Sequence, residues 1–365
     1  MKALIVGGGI GGLATAVAFH QRGWEVEVLE RSPEFTEIGA GLSIQPNGRR
    51  ALDTLGLGDL VHGTPAEPLT GIRRVDGAWL VHNDTDALRN RFGPWATLHR
   101  AALVDALRGL IPHAGLRPGT TVHEVLADGT VRHDGGTASA DLVVGADGVH
   151  SVTRRSAWPQ APGPRYLGYT TWRLLTPLPV PASAEIWGRG ERFGYAPMPD
   201  GRTYCYSMAN APAGSHAGLD ELRTRFSHWC APVPDLLNGA TAGDVLQHDT
   251  YELPPLRSYV VGKVALVGDA AHAMAPNLGQ GACQALEDAV SLADMVDRLG
   301  VEAGVTEYDR VRRPRTRTVA RHSRRAGAPA HWNSPTLNTL RDATLPLLPA
   351  ALFGRSITPT YTWTL

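Results

Sequence analysis

An α/β fold is the architecture this chain predicts: a parallel-sheet unit, an antiparallel sheet inserted into it, and a helical C-terminal segment. Three observations carry the expectation. The apolar run Ala3-Leu4-Ile5-Val6 enters the turn Gly7-Gly8-Gly9-Ile10-Gly11-Gly12 and continues into the helix-forming residues 13–19. Further apolar runs of parallel-strand character stand at residues 140–144 and 263–267. Between them, from about residue 166 to 251, short strand-like runs are separated by Pro and Gly.

The elements follow in order. Gly7 permits a tight turn, Gly9 lets the backbone approach a pyrophosphate, and Gly12 allows the helix to pack closely on the strand. The helix start offers unpaired N–H groups and a positive dipole end to phosphates. A second strand, residues 25–29, ends on Glu30, whose carboxylate suits the hydroxyls of a ribose. This strand–turn–helix–strand unit is Rossmann-like and predicts an adenine dinucleotide, without deciding between NAD and FAD. Residues 39–47 read as a loop and short strand before a helix over 49–55. Residues 98–107 have helical spacing, and a hairpin is expected around Asp128-Gly129. The strand at 140–144 runs into Gly145-Ala146-Asp147-Gly148. The runs 169–174, 192–196 and 203–207 read as antiparallel strands. The strand at 263–267 ends on Gly268-Asp269, and a long helix spans 284 to about 298. The expected organisation is a discontinuous dinucleotide-binding domain (1–75, 97–165, 255–330), an inserted sheet domain (76–96, 166–254) and a C-terminal segment (331–365).

Composition narrows the function classes. The 365 residues suffice for two domains, and a formal charge of zero provides no overall field for nucleic acid or an anionic membrane. Lysine occurs only at Lys2 and Lys263. The arginine-rich stretch 310–325 lacks interleaved aromatics, so a surface helix packed on the nucleotide domain is expected rather than a nucleic-acid patch. Cys205, Cys230 and Cys283 form no CxxC pair, and neither they nor the histidines have metal-ligand spacing; no metal is expected. Sparse cysteines, no export signal and no apolar run of membrane-spanning length point to the cytoplasm. Oligomeric state is left open.

The order of motifs is more specific than any one of them. The glycine turn, Glu30-Arg31, His99-Arg100, Gly145-Ala146-Asp147-Gly148 and the stretch GDAAHAMAPNLGQGACQALEDA from Gly268 recur together. The chain resembles the single-component, class A FAD-dependent aromatic monooxygenases of the p-hydroxybenzoate-hydroxylase-like family. Its Pro-Asn-Leu-Gly-Gln-Gly wording is similar to the branch containing salicylate, hydroxynicotinate and urate hydroxylases and zeaxanthin epoxidase. The resemblance runs from Lys2 to about Arg325. It implies FAD as cofactor, with NADH or NADPH as a transient reductant, since no second GxGxxG follows a strand.

The resemblance also implies a set of cofactor residues. Gly7, Gly9, Ile10, Gly12, Glu30, Arg31 and Val125 would serve the adenosine end. Arg100 would reach the phosphate–ribityl region, and Asp269, presented by Gly268, would hold the ribityl chain. Gly39, Ala40 and Gly41 would lie beside the isoalloxazine, and Pro276 is a candidate for both the cofactor site and the substrate pocket. The backbone of Gly279, Gln280, Gly281 and Ala282 would face the flavin's N1–C2 edge, where a helix start favours negative charge. Asp147-Gly148 would contact both FAD and NAD(P)H, or simply form a helix-entry turn. Cys283 is expected to pack against a helix, and His272 to be structural.

The implied activity is oxygenation of an aromatic or heteroaromatic small molecule by molecular oxygen through a flavin C4a-hydroperoxide. FAD-dependent epoxidation or reduction of an isoprenoid or polyketide, and non-catalytic flavin binding, remain open. The inserted sheet should form the substrate pocket, its period of two aiming alternate side chains at the flavin. Trp172 or Arg173, Phe193 or Tyr195, and Tyr204 or Tyr206 are therefore candidate lining residues. Arg173 could hold a phenolate or carboxylate, or equally face solvent. No catalytic base is assigned.

Overall fold

The computed structural model describes residues 1–35, 41–62, 65–66, 68–347 and 358–365. Its first sheet has six strands in the order Val260–Val261, Val264–Leu266, Leu142–Gly145, Lys2–Val6, Glu25–Leu29, Leu116–Arg117. All neighbouring pairs are parallel except the antiparallel edge strand Val260–Val261. The three apolar runs read from sequence thus lie side by side, and their C-terminal ends share one edge. Helix Ile10–His20 is buried along nearly its whole length. It packs beside helix Gly281–Leu299, so closely that a Cβ on Gly11 would lie 3.3 Å from that of Ala285. The hairpin around Asp128-Gly129 forms as expected and gains a third strand, Gly136–Ser139.

The second large sheet has seven strands in the order Leu246–Glu252, Arg165–Thr176, Thr203–Asn210, Glu191–Pro197, Ala184–Trp187, Gly71–Arg74, Trp79–His82. It is antiparallel except where Gly71–Arg74 runs parallel to Ala184–Trp187. The expected boundary at residue 75 therefore falls too late, because Gly71–Arg74 is already paired into this sheet. Strand Trp95–His99, straddling the expected boundary at 97, pairs with Gly41–Ile44 in a small sheet of its own. Helices Leu219–Phe226 and Val233–Asn238 cover one face of the large sheet, and the other turns toward the parallel-sheet unit.

Helix Val301–Gly327 carries the arginine-rich stretch and packs along helix Gly281–Leu299. Arg312 is not on its surface, however, but fully buried. The end of the chain is tied down by carbonyl groups. Arg315 donates to the carbonyls of Pro359 (2.7 Å) and Thr360 (3.0 Å), and Arg50 to those of Tyr361 and Trp363 (2.7 Å to the latter). Among the described residues, no helix is long and apolar enough to cross a membrane.

Candidate active site

The first glycine turn is built as its spacing requires. Gly7 has φ +105°, and a Cβ there would meet the carbonyl oxygen of Ala146 at 2.5 Å. A Cβ on Gly12 would lie 1.9 Å from the carbonyl oxygen of Gly7, so helix and strand touch backbone to backbone. Helix Ile10–His20 starts after Gly9 with no side-chain cap and no acid in its first turn. Its first N–H groups are the donors an anion needs. Ile10 turns its side chain into the core, leaving only its backbone for a ligand. Glu30 closes the turn, accepting from the backbone N–H of Gly8 at 2.6 Å and of Ser32 at 2.8 Å. Arg31 beside it is exposed.

A second uncapped helix start lies on the same edge. Gly279 adopts the left-handed region at φ +61°, and helix Gly281–Leu299 begins without a side-chain cap or an acid in its first turn. A Cβ on Gly281 would meet nothing within 4 Å, so the backbone faces open space. Gln280, 1 % exposed, holds this start from behind. Its amide oxygen accepts from Asn47 at 2.9 Å and from Gln284 at 2.8 Å. Gly268, at φ +57°, presents an exposed Asp269 at the first residue of helix Asp269–His272. Arg100 lies in electrostatic reach of Asp269, Arg173 and Tyr204; burial, followed by Arg173, lowers its pKa. Two anion-receptive helix starts, an approachable glycine backbone and an Arg–Asp pair between them fit a dinucleotide bearing a flavin. Gly39 and Ala40 lie outside the described residues.

Two expected contacts are corrected. The Asp147 carboxylate is committed to the following turn, accepting from Ser151 Oγ at 2.5 Å and the Thr153 N–H at 2.9 Å. The helix-entry reading therefore describes the bonds its side chain makes here, and the backbone of Asp147 and Gly148 remains available to a cofactor. Val125 buries its side chain in a small core with Leu4, Val6 and Val131, so it too could offer only backbone. Arg154, 1 % exposed, donates to the Val149 carbonyl (2.5 Å) and to that of Ala270 (2.8 Å), linking this turn to the Asp269 helix.

On the large sheet the period of two assigns faces. Trp172, Phe193 and Tyr195 belong to the core beneath helices Leu219–Phe226 and Val233–Asn238, and Trp172 Nε1 donates to the Ala217 carbonyl at 3.0 Å. These three candidates therefore point away from the nucleotide unit. Arg173, Tyr204 and Tyr206 take the other face. The Tyr204 ring abuts Gly41, where a Cβ would come within 2.5 Å of it, and burial raises the pKa of its hydroxyl while nearby Arg173 opposes that rise. Pro276 opens the short turn Pro276–Leu278 that leads to Gly279.

Sequence reasoning missed the groups behind that face. Glu185, 6 % exposed, accepts from Trp187 Nε1 (2.5 Å), Tyr206 Oη (2.7 Å) and Arg192 Nη1 (3.2 Å). Arg192 also donates to Asn277 Oδ1, and Asn277 donates to the Ser323 carbonyl at 2.8 Å, so the sheet is joined to the turn before helix Gly281–Leu299. Charged residues alternating with aromatics on strands 184–187 and 191–197 were the available signal.

A polar network supports the cofactor loops from within. Asp288 lies 2.5 Å from His272 Nε2 and accepts from the Gly268 N–H at 2.9 Å and from Arg312 Nε at 2.7 Å. Burial opposes its ionisation, but His272 and Arg312 outweigh burial and hold its carboxyl at about 2. Arg312 and Arg315 both bind Glu287, which accepts from Asn47 at 2.7 Å. His272 is thus structural. Cys283 packs against Gly48, and burial pushes its thiol up to about 12.

Known proteins match this architecture. The family model described as FAD binding domain matches residues 1–174 and 252–323, leaving out most of the large sheet and its helices. The chain is 36% identical to the aurachin C monooxygenase/isomerase of Stigmatella aurantiaca, over 92% of this chain and 91% of that protein. It is 35% identical to the 3-amino-4-hydroxybenzoate 2-monooxygenase of Streptomyces cremeus, over 98% and 95%. The structure of Klebsiella pneumoniae HpxO complexed with FAD and uric acid superimposes with a TM-score of 0.87 at 30% identity, over 99% and 97% of the two chains. With its two helix starts and sheet-covered cleft, this chain belongs to the FAD-binding-domain family, as an FAD-dependent monooxygenase of the class A aromatic hydroxylase type.

Proposed function

We propose that the enzyme hydroxylates an aromatic or heteroaromatic ring bearing an acidic group, a ring hydroxyl or a carboxylate, held by Arg173. The observation carrying this reading is the position of Arg173 opposite Tyr206 on the sheet face turned to the nucleotide unit, within electrostatic reach of Arg100 and Tyr204. A guanidinium so placed suits an oxyanion. The relatives add support: one is named for 3-amino-4-hydroxybenzoate, and one structure is complexed with uric acid.

In this reading the residues divide the work along the cofactor. The Gly7–Gly12 turn and the start of helix Ile10–His20 receive the pyrophosphate, and Glu30 receives the adenosine ribose. Asp269 and Arg100 hold the ribityl–phosphate segment, and the backbone of Gly279 to Ala282 faces the ring. Bound FAD supplies the redox chemistry: acceptance of a hydride from NADH or NADPH and activation of molecular oxygen. Arg173 orients the substrate ring, Tyr204 excludes water from one side, and Tyr206 is fixed in its rotamer by Glu185. The three unpaired cysteines suit a reducing cytoplasm.

The test is a screen of ring-hydroxyl and carboxylate compounds for stimulated NAD(P)H oxidation, with incorporation of label from 18O2 into product. Arg173→Ala should raise KM for an anionic substrate about 10- to 100-fold, the scale of a lost charged hydrogen bond. It should leave KM for a neutral isostere nearly unchanged. Equal KM values for both substrates in wild type and variant would overturn the role of Arg173.

A further inference from the structure

His248 stands on the edge strand Leu246–Glu252, directly opposite Thr171. The hydroxyls of Thr171 and Thr250 meet at 2.9 Å, so even-numbered residues of the edge strand share a face with odd-numbered residues of its neighbour. That face carries Arg173. Asp249 turns the opposite way, accepting from Thr170 Oγ1 at 3.0 Å and from the Gly214 N–H at 2.8 Å. His248 therefore points to the same side as Arg173. Its side chain is exposed and makes no hydrogen bond or ion pair with another described residue. From these positions we infer that His248 takes the ring-hydroxyl proton of the substrate that Arg173 holds, an inference that rests on the substrate class proposed above.

The surrounding charges favour such a relay. Partial desolvation by the residues around it, then Arg173 and Arg100, lowers the imidazole's pKa below its ordinary 6.5, so it stands neutral at pH 7. Tyr204, near Arg173, is pushed up by burial and stays a phenol. Glu185 is occupied by Arg192, Trp187 and Tyr206. Asp269 acts electrostatically on Arg100. Among the described groups on this face, the imidazole is the one able to accept a proton near neutrality and pass it on. The substrate O–H bond breaks, its electron pair remains on the oxygen beside Arg173, and the proton binds a free ring nitrogen of His248. The imidazolium so formed, repelled by two guanidiniums and open to water, releases the proton to solvent. The same guanidiniums stabilise the oxyanion left behind.

The experiment compares wild type with His248→Gln, both as FAD-loaded protein. The readouts are proton release on substrate binding, followed with a pH indicator, and the pH profile of kcat/KM. A ring-hydroxyl substrate is set against a fluorinated analogue already ionised at the assay pH. Wild type should release a proton on binding and show an acid limb with an apparent pKa below 6.5. His248→Gln should lose that limb and fall about 100-fold with the hydroxyl substrate, while the ionised analogue retains wild-type kcat/KM within about threefold. An acid limb retained by the variant, or equal losses with both compounds, overturns the role of His248. A wild type that turns over neither compound removes the substrate reading, and this role with it.

Discussion

The backbone N–H of Gly8 donates to Glu30 Oε2 across 2.6 Å, so the phosphate turn and the acid ending the second strand are one hydrogen-bonded unit. Glu30→Ala removes both the ribose acceptor and the restraint on this turn. FAD binding should weaken by about 1–3 kcal/mol, as for a lost charged hydrogen bond. Titration of apoprotein with FAD, followed by flavin fluorescence, measures this, and an unchanged Kd would detach Glu30 from the cofactor.

Two glycines should behave oppositely. At Gly12 a methyl would meet a backbone carbonyl at 1.9 Å, which no rotamer change relieves. Gly12→Ala should lower apoprotein stability by about 1–3 kcal/mol or more. At Gly281 a methyl enters open space at a helix start, so Gly281→Ala should preserve the apoprotein's thermal midpoint but weaken FAD binding. Equal thermal losses in both variants would contradict this division.

Asp269 is exposed and begins a four-residue helix, so little of the fold rests on its side chain. Asp269→Ala should fold with a normal circular dichroism spectrum yet purify nearly colourless. A yellow protein with wild-type flavin content would sink the ribityl assignment.

The Asp288 carboxyl is held at about 2 in the folded protein, below its ordinary value of 3.8. A carboxyl depressed by folding contributes stability above its unfolded pKa and loses it as pH falls through the folded one. Stability should therefore drop between about pH 4 and pH 2, and Asp288→Asn should flatten that part of a urea-midpoint profile. Arg312→Met leaves Glu287 and Asp288 without their buried cation and should cost about 3–5 kcal/mol. A midpoint within error of wild type would make the network dispensable.

Legibility in the sequence followed the range of the interactions. The glycine turn, Glu30 and the Gly268-Asp269 corner were readable because strand, turn and helix are contiguous and each glycine answers to a neighbour in the same unit. The large sheet was readable as strands, since alternation is local. Which face of it was left uncovered was not, because that depends on helices Leu219–Phe226 and Val233–Asn238 covering Trp172, Phe193 and Tyr195. Aromatic side chains suit a helix-covered core as well as a ligand pocket. Arg312 looked like its exposed neighbours because its partners, Glu287 and Asp288, lie on a different helix. His248 was overlooked because its neighbours Arg173 and Arg100 come from distant segments.

Arg315 grips the Glu287 carboxylate with the same guanidinium that receives the carbonyls of Pro359 and Thr360. Glu287 accepts from Asn47, and Asn47 donates to Gln280 at the threshold of helix Gly281–Leu299. Residues 359 and 360 are thus the outermost link of a tether ending at the start of helix Gly281–Leu299. Cutting the chain before Pro359 should be felt in the redox potential of the bound flavin.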